Sequence, residues 1–375
     1  MKSASHTVRL QYIDRLRGLA VLGMFVVHSP YPWVSPEVNT GIFKTIISYI
    51  SGMVAPVFLF LAGIAVCMVA KKVRERGLDE RLVRKKMIVR GAGIILAGYL
   101  LQLSFWVFGG FLSDPVRILK VDILQCIGAS MVLLTLVAWP GKGMFQWRAI
   151  IMFFVMVLGA QLTWRLPLEN WIPDAVAGYF THIYRWARFP IFPYGGWLAL
   201  GLVVGSIWLH MKNKPGGERR FWMGLAITIL AVLVMSWVAH WIEKNLGGEG
   251  PVGAGRDGFK TSVNYFFYKM AWLFVLFSMA RLTASLLDRI PGEWLTILGR
   301  ASLFAYCVHL ALVYYAFGVF WKQNLSRIEY LFALVLLTAV MFVLSFAWLR
   351  WPPVNFLKGE WIKLKVRRQF LRRQV

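Results

Sequence analysis

Acidic residues are scarce in this chain. Asp and Glu number 17 against 42 Lys and Arg, leaving a formal charge of +25. A charge of that size invites a nucleic-acid reading, but its distribution along the chain argues against one. Cysteine is scarcer still. Cys67, Cys126 and Cys307 lack metal-ligand spacing and all fall within apolar runs, so no metal site is expected and each reads as a small apolar side chain. The sequence has no phosphate loop, no nucleophile elbow and no zinc signature. Neither half echoes the other. No cleavable signal peptide is expected, because Met1 to Thr7 is polar and no small-residue cleavage site follows the first apolar run.

What the chain has instead is hydrocarbon. Of its 375 residues 58% are hydrophobic, in recurring runs of about 20 residues, each long enough to cross a ~30 Å hydrocarbon core. The expected fold is all-α, a polytopic membrane protein with ten transmembrane helices at about 16–34, 43–70, 88–108, 121–139, 148–164, 191–209, 221–241, 263–286, 298–320 and 329–349. With both termini cytoplasmic, the inner segments hold 30 Lys and Arg and the outer ones 12. That asymmetry follows the positive-inside rule, so the excess charge orients the chain and meets anionic headgroups. Residues 1–350 form one expected transmembrane domain. Residues 351–375, with Arg367, Arg368, Arg372 and Arg373, form a basic amphipathic tail on the inner leaflet.

The chain is organised around Asp14 to His28. Arg17 and His28 are eleven apart, which returns a helix to within roughly 20° of the same face about 16 Å further along. An ionisable residue inside a membrane helix is a functional hypothesis by default; the plainer reading is a histidine satisfied by a neighbouring helix. His309 falls in mid-span one turn after Tyr306, where a core histidine bonded to a carbonyl is the commoner fate. Asp122 and Gln125 share a face at the head of the fourth span. Asp122 either orients an imidazole and binds a polar acceptor, or is a helix N-terminal acid favoured by the dipole.

Nine Lys or Arg fall between Lys71 and Arg90. Lys86 and Arg90 share a helix face there and suit phosphates, although such a run is also an ordinary cytoplasmic loop. On the outer side, Trp33, Arg185 and Arg188 lie in aromatic stretches suited to sugar rings and anionic groups. An aromatic belt with snorkelling arginines would look the same. Pro56 predicts a kink in the second span. The glycine-rich stretch 242–262 is a flap or a linker.

A cation at one end of a helix and a histidine about 16 Å deeper match the length of an extended pantetheine arm. Acyl-CoA could anchor its phosphates inside and present its thioester near His28. Histidine, with an ordinary pKa of about 6.5, suits proton removal from an acceptor hydroxyl or amine, or could carry the acyl group itself.

The segment Ile13-Asp14-Arg15-Leu16-Arg17-Gly18-Leu19-Ala20 resembles the opening of bacterial relatives of heparan-alpha-glucosaminide N-acetyltransferase. Phe60-Leu61-Ala62-Gly63, Asp122-Ile123-Leu124-Gln125-Cys126-Ile127-Gly128, Phe192-Pro193-Tyr194-Gly195-Gly196 and Leu298-Gly299-Arg300-Ala301-Ser302-Leu303 through His309 follow in the order those proteins show. The Arg17–His28 spacing is similar to the arginine–ten–histidine motif of the acyltransferase-3 family, which shares a transmembrane acyltransferase fold.

The resemblance implies transfer of an acyl group, acetyl foremost, from cytoplasmic acyl-CoA to an extracytoplasmic glycan or glycolipid at a bacterial cytoplasmic membrane. His28 would be catalytic and Arg17 its partner, with Asp122 and His309 as further candidates. Arg17, Lys86 and Arg90 would hold the donor, and Trp33, Arg185 and Arg188 the acceptor. Where the heparan-modifying enzyme has its catalytic histidine in the loop after the first helix, this chain has Asn39. A transporter or flippase remains the alternative, although inverted repeats typical of one are not evident.

Overall fold

The computed structural model describes residues 11–108, 115–141, 146–163, 166–181, 187–245, 263–287 and 293–350. Among them there is no strand, only two isolated bridges, and every expected span has helix in it. The first half comprises α1 (Gln11–His28), α2 (Pro30–Trp33), α3 (Gly41–Glu75), α4 (Glu80–Phe108), α5 (Ile123–Val137), α6 (Trp147–Thr163) and α7 (Asp174–Ala177). There follow α8 (Ile191–Met211), α9 (Gly217–Asn245), α10 (Val263–Leu282), α11 (Ala284–Leu287), α12 (Trp294–Arg300), α13 (Ser302–Ala311), α14 (Phe317–Trp321) and α15 (Arg327–Arg350).

Six helices among the described residues are long and apolar enough to cross a membrane: α3, α4, α8, the Gly217–Val238 part of α9, the run Ser302–Trp321, and α15. Two shorter apolar helices, α5 and most of α6, accompany them. The chain is an all-α polytopic membrane protein. Burial separates the roles of these helices. The apolar stretch of α8 is 78% buried, whereas those of α4 and α9 are 17% buried and present Leu96, Leu100, Leu230 and Met235 outward. With no water to satisfy them, such faces belong against lipid.

The chain forms two compact units, residues 1–51 with 280–375 and residues 52–279; α3 runs from the first into the second. In both, the tightest helix crossings are made by paired glycines. In the first unit, a Cβ on Gly18 of α1 would strike the Leu295 carbonyl of α12, and one on Gly299 of α12 would strike the Asp14 carbonyl of α1. In the second unit, Gly63 of α3 meets the Leu198 carbonyl of α8, while Gly201 of α8 meets the Phe60 carbonyl. Gly91 of α4 and Gly128 of α5 face each other's carbonyls in the same way. Small residues let backbones approach where hydrophobic driving force between helices is absent.

Two expected spans are interrupted. The first ends at His28, and Pro30 starts the separate turn α2, where its missing N–H costs nothing. The ninth is cut at Ala301, between α12 and α13, and again by a π-helical turn over Leu312–Ala316. Lys322 and Gln323, both left-handed (φ 40° and 62°), then end α14. Pro56 is buried within α3, which is helical on both sides of it. The tail 351–375 and most of the glycine-rich stretch, 246–262, lie outside the described residues.

Candidate active site

Continuous helix from Gln11 to His28 keeps Arg17 and His28 on the face that their spacing predicts. His28 is the last residue of α1, and there it meets a second imidazole. Its Nδ1 lies 2.9 Å from Nε2 of His309, with the rings stacked at 5.2 Å and 26°. His309 is fully buried, and its Nδ1 lies 2.8 Å from the Ala305 carbonyl one turn back on α13.

These contacts assign the protons of the neutral pair. A carbonyl oxygen can only accept, so His309 Nδ1 carries the hydrogen and donates it to Ala305. His309 Nε2 is then an acceptor. His28 Nδ1 must therefore be the donor, which puts the lone pair of His28 on Nε2. A backbone carbonyl thus fixes the tautomer of His28 through an intervening ring.

The end of α1 is held by residues the sequence does not advertise. The Phe25 carbonyl accepts from Ser29 twice, from its backbone N–H at 3.2 Å and its Oγ at 2.6 Å, and the buried Tyr330 hydroxyl on α15 donates to the Val26 carbonyl at 3.2 Å. Phe25 and Tyr306 flank the His309 ring at 5.2 and 5.6 Å. Trp33, expected to face an acceptor, is fully buried instead: its indole N–H donates to the Val313 carbonyl in the π turn, and its ring packs on Phe317 and Trp321. It seats the segment that follows His309.

At the other end of α1, Arg17 Nη1 pairs with Asp14 at 3.0 Å. Arg15, not singled out in the sequence, is buried and donates to the Ala284 carbonyl at 3.1 Å and to Gln11 at 3.2 Å. The structure therefore brings His28 and His309 together in the first unit, which also holds Arg17. Lys86, Arg90, Asp122 and Arg188 belong to the second unit.

Lys86 and Arg90 stand one turn apart on α4, Lys86 partly exposed and Arg90 exposed. Asp122 is the N-cap of α5. Its Oδ1 accepts from the Ile123 N–H at 2.9 Å, Gln125 answers its backbone N–H at 3.3 Å, and Lys120 pairs with Oδ2 at 2.6 Å. The carboxylate–amide spacing noted in the sequence is thus a capping box. Arg188 is exposed, with its backbone N–H donating to the Val121 carbonyl at 3.0 Å; Arg185 lies outside the described residues.

The family described as heparan-alpha-glucosaminide N-acetyltransferase, catalytic, matches residues 9–240. That stretch includes Arg17, His28, Lys86, Arg90 and Asp122 and ends before His309. No curated protein matches the chain. With well over half its length matched, in an all-α membrane fold, the chain belongs to the heparan-alpha-glucosaminide N-acetyltransferase catalytic family of membrane acyltransferases.

Proposed function

We propose that this chain transfers an acyl group, acetyl foremost, from cytoplasmic acyl-CoA to a hydroxyl or amine of an extracytoplasmic glycan or glycolipid, using His28 Nε2. Family membership supports the reaction class, and the His28–His309 hydrogen bond is the observation that carries the residue assignment. In the direct route, Nε2 takes the acceptor's proton as its oxygen or nitrogen attacks the thioester carbon. The carbon–sulfur bond breaks, and the proton passes from Nε2 to the departing thiolate. In the covalent route, Nε2 itself attacks that carbon and CoA leaves as the thiolate. The acceptor then displaces the imidazole, and the acceptor's proton passes to the thiolate. Both routes put positive charge on His28, and the His309 Nε2 lone pair, 2.9 Å from Nδ1, supports it.

Arg17 is the proposed donor-phosphate ligand of the first unit. Lys86 and Arg90 offer phosphates a cationic face on the second. Arg188 and Arg185 are proposed on the acceptor side. Asp122 serves first as a helix cap. The proposed setting is a bacterial cytoplasmic membrane with both termini inside.

Thermal shift with acetyl-CoA tests the donor, because a ligand that binds only folded protein raises the melting temperature by mass action. Wild type and His28→Ala should both be stabilised saturably, and Arg17→Ala much less. Folded wild type that acetyl-CoA does not stabilise would overturn the reading. Reversing charge with Lys86→Glu and Arg90→Glu should weaken donor binding, and unchanged affinity would remove that pair.

A further inference from the structure

The second unit contains a cavity of about 450 Å³, lined by none of the residues proposed above for the transfer. Its walls are the last turns of α3 and the end of α8, closed by Pro140 and Gly141 beyond α5. Both α3 and α8 are apolar enough to cross the membrane, and the cations begin where the apolar run of α3 stops. The cavity therefore stands at the level where a spanning helix leaves hydrocarbon for the headgroups.

Both cations that line it, Lys71 and Arg74, are already fixed in place, and the Glu75 carboxylate lines it with them. Arg74 Nη1 donates to the Pro140 carbonyl at 2.7 Å and lies 3.7 Å from Glu80. Lys71 Nζ donates to the Leu209 carbonyl at 3.4 Å and lies 3.8 Å from Glu75. These bonds answer carbonyls at or just beyond helix ends and hold the walls in position. They leave donors over. A guanidinium has five N–H groups and an ammonium three. Among the described residues, Arg74 Nε and Nη2 have no partner, nor do the side chains of His210 and Asn213, which line the same cavity. A rigid, part-used guanidinium beside further N–H donors and the apolar Leu209 suits a phosphate ester attached to something greasy.

We propose that this cavity binds the phosphate of an anionic membrane lipid, with Arg74 as its principal ligand and Lys71, His210 and Asn213 around it. Basic pockets between membrane helices take such headgroups. The proposal is independent of the chemistry at His28.

The test is the melting temperature of the purified full chain in neutral detergent, titrated with phosphatidylglycerol, with phosphatidylcholine, or with sodium pyrophosphate. Wild type should show a saturable rise with phosphatidylglycerol and none with phosphatidylcholine. Arg74→Gln, which keeps an N–H for Pro140, should weaken the apparent affinity about tenfold or more. His210→Glu leaves the Arg74 bonds intact and puts a like charge beside the phosphate. It should weaken binding comparably, and it keeps the test open if Arg74→Gln does not fold. Equal shifts in wild type and both variants would overturn the site. A shift with pyrophosphate and none with lipid would overturn the lipid source and assign the cavity to a soluble phosphate ester.

Discussion

Two ionisable groups meet apolar surroundings at helix ends in this protein, and they are treated differently. Asp122, at the start of α5, is answered locally. Its own helix takes one carboxylate oxygen, and Lys120, two residues away, takes the other at 2.6 Å, with Gln102 of α4 a longer donor to it at 3.5 Å. His28, at the end of α1, is answered from 281 residues away by a ring that is itself held by a backbone carbonyl. Local partners spend a group on building a helix. A distant, buried partner that fixes a tautomer directs the group's remaining lone pair, and that is the arrangement general-base and nucleophilic chemistry needs.

The strongest way to break this contrast is His28→Ala. Transfer of radiolabelled acetyl from acetyl-CoA into native membranes should fall about 10²–10⁴-fold, with the protein still folded. Normal transfer would remove His28 from the chemistry. Next come two replacements of its partner. His309→Phe removes the acceptor for His28 Nδ1–H, whereas the amide oxygen of His309→Gln can restore it. Transfer should fall in both, by about tenfold or more in the phenylalanine variant, with partial recovery in the glutamine variant. Equal losses would mean that His309 acts by filling space.

Gly299→Ala tests whether the α1–α12 crossing positions that histidine. Overpacking there should cost about 1–3 kcal/mol, read as a lower melting temperature, and should depress transfer too. The matching change at Gly201 probes the second unit and should lower the melting temperature similarly. Asp122 carries the smallest expected effect. Asp122→Ala should cost about 0.5–2 kcal/mol through the lost cap, while Asp122→Asn, a good N-cap, should lose much less and leave transfer near wild type. Abolished transfer in a stable Asp122→Asn would return that carboxylate to the reaction.

Apolar runs made the helices legible, since bilayer thickness sets span length without help from neighbours. Breaks within spans were less legible. The prolines after His28 announce one, but nothing in Leu312 to Ala316 announces a π turn. At the site, His28 could be read from its spacing to Arg17, because both lie on one helix. Its pairing with His309, and the support from Tyr330 and Trp33, depend on helices that the chain brings together only after long detours, and one sequence carries no mark of that. The glycines within Arg17-Gly18, Ala62-Gly63, Ile127-Gly128 and Leu298-Gly299 mark helix crossings, so much of what makes these segments similar to a family is packing.

The π turn over Leu312–Ala316 has a consequence for insertions and deletions. It behaves as one residue inserted into an otherwise straight helix, and each inserted residue rotates everything downstream by about 100°. Phe317 and Trp321 meet Trp33 only with that rotation in place. Deleting one residue there would restore ordinary helical hydrogen bonding and swing both rings off the indole. In this stretch, one residue more or less re-aims an aromatic wall, and a length change in the chain becomes a change of direction.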